Sequence, residues 1–219
     1  MKISADSKEN QPTKQGNSRE NNERGNAGML DTEGVCDDPE GRCDDHAYRL
    51  AVYQAGHALV ARALGHRIMT VRLLPRPPIT ITDKSFLHNN WDSFMDMLEA
   101  RVIELFGGQM AEHMICGSHT CCTGDISRID ELTRLLAGLN EDTDYEDVFF
   151  HLEEVAQNIF TDSRTIDALL PLAEFLYEKE LATEYEIPGE ELDAIIDQYV
   201  DPIPQNNSRF SKLFKMISK

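Results

Sequence analysis

Val52-Tyr53-Gln54-Ala55-Gly56-His57-Ala58-Leu59-Val60 is the stretch on which the reading of this 219-residue chain turns. Leu50, Ala51, Ala55, Ala58, Leu59 and Leu64 recur around it at helical spacing, which predicts a helix that starts near Asp45 and stops at Gly65. Working outward, Ile68–Leu74 is rich in β-branched residues and ends at Pro75, so it reads as a strand. Pro77-Pro78 then breaks the chain, and Ile79–Thr82 reads as a second short strand. A long helix follows from about Trp91 to Cys116, with Phe94, Leu98, Val102, Leu105, Phe106, Met110 and Met114 as its buried stripe. Gly107-Gly108 interrupts that helix. Two glycines cost about 2 kcal/mol relative to alanine, so close packing of a neighbour is expected there.

Beyond it, Gly117–Gly124 reads as a loop carrying His119, Cys121 and Cys122. Asp125 is placed to cap a helix beginning at Ile126, with Ile129, Leu132, Leu135 and Leu136 at helical spacing. An acidic loop spans 140–147. Helices are then expected over about Val148–Ile159 and Ser163–Ala182, the second burying Ile166, Leu169, Leu170, Ala173, Leu176 and Tyr177. Pro188-Gly189 opens a last short helix bearing Leu192, Ile195, Ile196 and Tyr199. The fold class is mainly α, of the α+β kind, with a small β element.

Residues 1–45 are polar and nearly free of large apolar groups. Such a segment buries too little surface to offset its ordering entropy, so it reads as a disordered leader to a domain over 46–200. Residues 201–219 form a weakly amphipathic, locally basic tail, suited to membrane contact, to folding back on the acidic body, or to staying loose. The net charge of −18 and pI near 4.7 argue against nucleic acid and against anionic lipid as partners. No run of about 18 apolar residues is present and no secretory h-region opens the chain, so a cytoplasmic protein with no integral membrane segment is expected. Five cysteines in irregular positions do not make a secreted disulfide framework. Cys36, Cys43 and His46 lack the fourth ligand and the spacing of a zinc finger, and read as unpaired residues of a flexible linker.

The chemistry turns on two positions in the opening stretch. A zinc-protease helix reads H-E-x-x-H: two histidines one turn apart bind the metal and the glutamate takes a proton from its water. Here Tyr53 and Gln54 stand where the first histidine and the glutamate would be, and His57 alone remains.

Tyr53–Ala61 resembles the H-E-A-G-H-A-L-V-A helix of the FtsH-type peptidases, family M41. Val71-Arg72-Leu73-Leu74-Pro75-Arg76 resembles that family's strand V-x-I-x-P-R, and Leu105–Glu112 its L-L-G-G-R-x-A-E helix. Thr123–Leu132 is similar to T-G-x-x-N-D-L-x-R-A-T-x-L, and Arg164–Leu169 with Leu176–Glu180 to the C-terminal helix. These blocks stand in the family's order over about residues 46–200. No Walker A sequence is present, so neither an ATPase module nor ATP is expected; the chain resembles a free-standing M41 peptidase domain.

The resemblance implies that the ligand histidines fall on Tyr53 and His57, the catalytic glutamate on Gln54, the third ligand on Asp125, and a glutamate near the site on Glu112. A phenol binds zinc well only as phenolate, with a free pKa of about 10. A glutamine amide has no basicity to take a proton from water. The expected cofactor is therefore none, or weak zinc. His119, Cys121 and Cys122 are the available rescue ligands, with Glu112 as a substitute base. Each residue also has a plainer role: His57 packed on a helix face, Asp125 as an N-cap, Tyr53 as core filling, Glu112 as solvated charge. Two functions follow. One is an inactive, peptidase-like module that binds a protein or peptide segment, an active FtsH-type protease being one candidate. The other is a zinc metallopeptidase with a rearranged site.

Overall fold

Helix α1 (His46–Ala63) starts where Asp45 accepts a hydrogen bond from the Ala47 amide, as an N-cap does. Apart from Arg49 it is buried from Tyr48 to Ala61. A helix covered on every side is a central helix rather than an amphipathic surface one, and the rest of the domain is arranged around it. The computed structural model describes residues 41–83, 90–121, 123–139 and 143–200. Cys36, Cys122, most of the leader and the C-terminal tail lie outside the described residues.

Gly65, at φ 92°, turns the chain out of α1 into strand β1 (Arg67–Arg72), followed by β2 (Ile79–Asp83). Helix α2 (Trp91–Cys116) begins at Asn90, whose side chain accepts from the Ser93 amide, and ends at the left-handed Gly117. Helices α3 (Thr123–Leu139) and α4 (Tyr145–Ile159) pack on α2, and α5 (Ser163–Leu181) covers another side of α1. A three-residue strand β3 (Glu186–Pro188) leads into α6 (Gly189–Ile196), which lies on β1. The sheet order is β2-β1-β3, with both pairings antiparallel. Val71 stands opposite Thr80 on one side and Ile187 on the other, and a bulge at Met69 interrupts the first pairing.

Helices α1 and α2 run antiparallel. Arg49 meets Glu112, Gly56 meets Gly107, and His66, just past α1, meets Glu104. A Cβ on Gly56 would lie 2.3 Å from the Gly107 carbonyl oxygen. Only two facing glycines permit that approach, which accounts for the Gly107-Gly108 pair inside a long helix. The mainly α class with a small β element, expected from the sequence, is the observed one.

Several expectations are corrected. Cys43 is not an unpaired linker residue: it forms a disulfide with Cys116, at the end of α2. It sits in a short 3-10 helix, Arg42–Asp44, which is also held by an Arg42–Glu174 ion pair at 3.1 Å. Asp144, in the expected acidic loop, accepts from the Glu146 amide and starts α4 ahead of Val148. α3 likewise starts ahead of Ile126, so Asp125 lies in its first turn instead of capping it. Leu135 and Leu170 face solvent. Among the described residues, no helix is long and apolar enough to cross a membrane.

Candidate functional site

The close approach of α1 to α2 builds the site. Tyr53, Gln54 and His57 lie within about one turn of α1 and border the same cleft. Gly108 faces them without a side chain: a Cβ there would stand 2.6 Å from His57 Nε2 and 2.8 Å from Tyr53 Cζ. The tyrosine ring packs edge-on against the imidazole, with centroids 4.6 Å apart. Asp125 arrives from the first turn of α3. Its Oδ2 accepts the Tyr53 hydroxyl and lies 3.1 Å from His57 Nε2. Burial would push the Asp125 carboxyl up, but the hydrogen bond and charge of His57, then the Tyr53 hydroxyl and Arg101, hold it below the ordinary carboxylate range. The group is a carboxylate at neutral pH.

His57 Nδ1 lies 2.7 Å from the Glu104 backbone carbonyl. A carbonyl only accepts, so Nδ1 carries the proton and Nε2 is the nitrogen turned toward Asp125. The Glu104 side chain is 2% exposed and meets His66 Nδ1 at 2.6 Å and Arg101 at 3.3 Å. Gln54 is also 2% exposed, and both ends of its amide are engaged. Its oxygen accepts from Thr80 Oγ1 at 2.7 Å and its nitrogen donates to the Pro78 carbonyl at 3.3 Å. Gln54 thus ties α1 to the start of β2. These groups border a cleft of about 210 Å³, walled by Pro77–Thr80 on one side and by Arg101, Leu105 and Cys121 on another.

Glu112 is elsewhere. It is fully buried and accepts from Arg49, from the Thr120 hydroxyl, and from the amides of Thr120 and Cys121 at 3.0 Å. Burial alone would raise its carboxyl, but the Cys121 and Thr120 amides and the Arg49 guanidinium bring it below the ordinary range. It is neither solvated charge nor a base at the cleft: it clamps the loop after α2. Arg49 extends the clamp to Ser118 and to the Cys43 carbonyl. His119 packs against His113, with ring centroids 6.0 Å apart. Cys121 borders the cleft, but burial and then Glu112 push its thiol up to about 11. Cys122 lies outside the described residues.

The resemblance implies zinc at this place, and the donors do not fit it. A catalytic zinc takes three protein ligands and keeps one position open. Here Nε2 of His57 and Oδ2 of Asp125 are the ordinary donors, and they face each other directly, with the Tyr53 phenol bonded to the same oxygen. Among the described residues, no group of three or more His, Cys, Asp or Glu side chains is disposed to hold a metal ion.

Glu104, Arg101, Thr80 and Pro78 are site residues that the sequence did not single out. Glu104 and Pro78 act through backbone carbonyls, which carry no side-chain signature. The Arg101–Glu104 spacing (i, i+3) was a visible pair, but nothing in the pattern marked it as facing inward.

No family model matches the chain. A stretch of 96 residues is 31% identical to the "ATP-dependent zinc metalloprotease FtsH 4" of Sorangium cellulosum (strain So ce56), over 42% of this chain and 15% of that protein. A region of this chain is FtsH-related. The chain thus spans about 15% of the length of the curated relative it matches.

Proposed function

We propose that this chain carries an M41-type peptidase fold that has lost catalysis and uses its cleft to bind an extended protein segment. The observation that carries this reading is the state of Gln54. At the position of the proton-accepting glutamate stands a neutral amide, buried and bonded at both ends to the wall of the cleft. Loss of general acid–base assistance alone removes about 10²–10⁴ in rate. The Tyr53–Asp125–His57 contacts occupy the place where ligands would converge on a metal.

The binding half of the reading rests on β2. It is one of the two outer strands of the sheet, it borders the cleft, and Ile79 on it is half exposed. An edge strand beside a cleft receives an extended peptide by main-chain pairing, with pockets taking alternate side chains. The net charge of −18 favours a neutral or basic segment.

A rearranged, working metallopeptidase is the second reading. What favours it is the orientation of the His57 ring, because the Nδ1–H bond to a carbonyl turns Nε2 to the side of Asp125, as a backbone carbonyl orients metal-binding histidines. The test is incubation of the full chain with fluorescein-labelled casein and added zinc, beside His57→Ala. The proposal expects no cleavage by either protein and a polarisation increase on casein binding. Cleavage that a chelator stops and that His57→Ala abolishes would establish the second reading instead.

A further inference from the structure

A second cavity lies away from the Tyr53–His57–Asp125 cleft. It measures about 290 Å³ and is framed by α2, α3 and α4. Leu136, Val148 and Leu152 form an apolar floor, while Glu99, Asp147 and Thr143 supply polar groups at its walls. The volume is at the lower edge of the ~300–1,000 Å³ of pockets that take drug-sized ligands, so the occupant is small or is a single side chain.

Glu99 is the unusual member. It comes from α2, is mostly buried, and shares the cavity lining with Asp147 and His151. Burial, and then repulsion from Asp96, pushes its carboxyl up to about 7. A carboxylate in such a setting is stabilised when a positive charge arrives. The facing helix adds the Asp147 carboxylate and the His151 imidazole, and among the described residues no lysine or arginine lines the cavity. The walls do not converge as metal ligands: among the described residues there is no suitable group of three or more such side chains. An apolar floor beneath two carboxyls suits an organic cation, whose alkyl stem covers the leucines and whose charged head meets the acids.

We propose that the cavity bounded by Glu99, Asp147 and Leu152 is a binding site for a guanidinium or ammonium group on a short aliphatic stem. The group has two sources, a free amine or an arginine or lysine side chain of a protein partner. The site is independent of the peptide cleft and of whether the chain hydrolyses anything.

The test is amide NMR titration of the full chain with agmatine, and separately with the blocked tripeptide acetyl-Gly-Arg-Gly-amide, in physiological salt. Saturable shifts that centre on Glu99 and on residues 143–152, weakened at least about tenfold by Glu99→Gln but not by Glu131→Gln on the exposed face of α3, are expected. Binding of agmatine alone assigns the site to free amines, and binding of both assigns it to protein side chains as well. Asp147→Asn repeats the comparison from the opposite wall. Shifts that stay linear and scatter over the acidic surface with both probes, or an affinity unchanged by Glu99→Gln and Asp147→Asn, would overturn the proposal.

Discussion

At the scale of single residues, the proposed function rests on hydrogen bonding in the place where the M41 pattern puts metal coordination. Tyr53 turns its hydroxyl to Asp125, while the same carboxylate faces His57 at 3.1 Å. Buried polar groups persist when they are paired, and the four side chains Tyr53, Gln54, His57 and Asp125 are paired with protein groups. Glu99 is a different case, a carboxyl pushed from 4.5 to about 7 chiefly by burial. Because its folded pKa exceeds the unfolded one, the folded chain holds a proton that the unfolded chain has lost over that interval. Stability from this group is therefore present at low pH and falls as pH rises through about 7. Glu99→Gln, which never ionises, should gain on the wild type between about pH 5 and about pH 8 in urea unfolding. A difference that does not change with pH would place the carboxyl in water instead. The convergence of Tyr53, Gln54, His57 and Asp125 was legible in the sequence because a motif spaces the first three and an aligned block supplies the fourth. The Glu104 carbonyl that orients His57 was not, since every residue has one.

At the scale of elements, the α1–α2 contact determines the site. Gly56→Ala would drive a Cβ to 2.3 Å from a backbone oxygen that has no rotamer to escape into. A destabilisation of about 3 kcal/mol or more in urea unfolding is expected, at the upper end of overpacking. Gly138→Ala on α3 meets nothing within 4 Å and should instead stabilise by up to about 1 kcal/mol, as alanine does in a helix. Equal effects at the two positions would mean that the helices do not approach through Gly56. The long helices and β1 were legible because their apolar spacing persists over many residues. β3 was not: Glu186–Pro188 is too short to show a period, and it becomes a strand only because β1 is there to pair with it. The start of α3 moved because Asp125 is engaged by Tyr53 and His57, not by the backbone it was expected to cap.

At the scale of the whole molecule, the Cys43–Cys116 disulfide joins residues 73 apart and ties the start of the fold to the end of α2. Neither the spacing nor the composition announces it, because such a pairing depends on where α2 ends in space. Closing a loop of that length is worth about 4 kcal/mol in the chain-entropy account. A reductant should lower the stability of the full chain by about that amount in urea unfolding, and alkylation after reduction should label two more cysteines than before. An unchanged unfolding midpoint and an unchanged label count would remove the disulfide from the account. The same clamp region holds Arg49, Glu112 and the Thr120 and Cys121 amides, so the buried charge of Glu112 fixes a loop instead of serving as a base at the cleft. The most direct test is the zinc content, by mass spectrometry, of the full chain purified without chelator, beside the double variant Tyr53→His/Gln54→Glu. The account predicts a wild type with no stoichiometric zinc and a variant that takes up about one equivalent; zinc near one equivalent in the wild type, lost in His57→Ala, would contradict it.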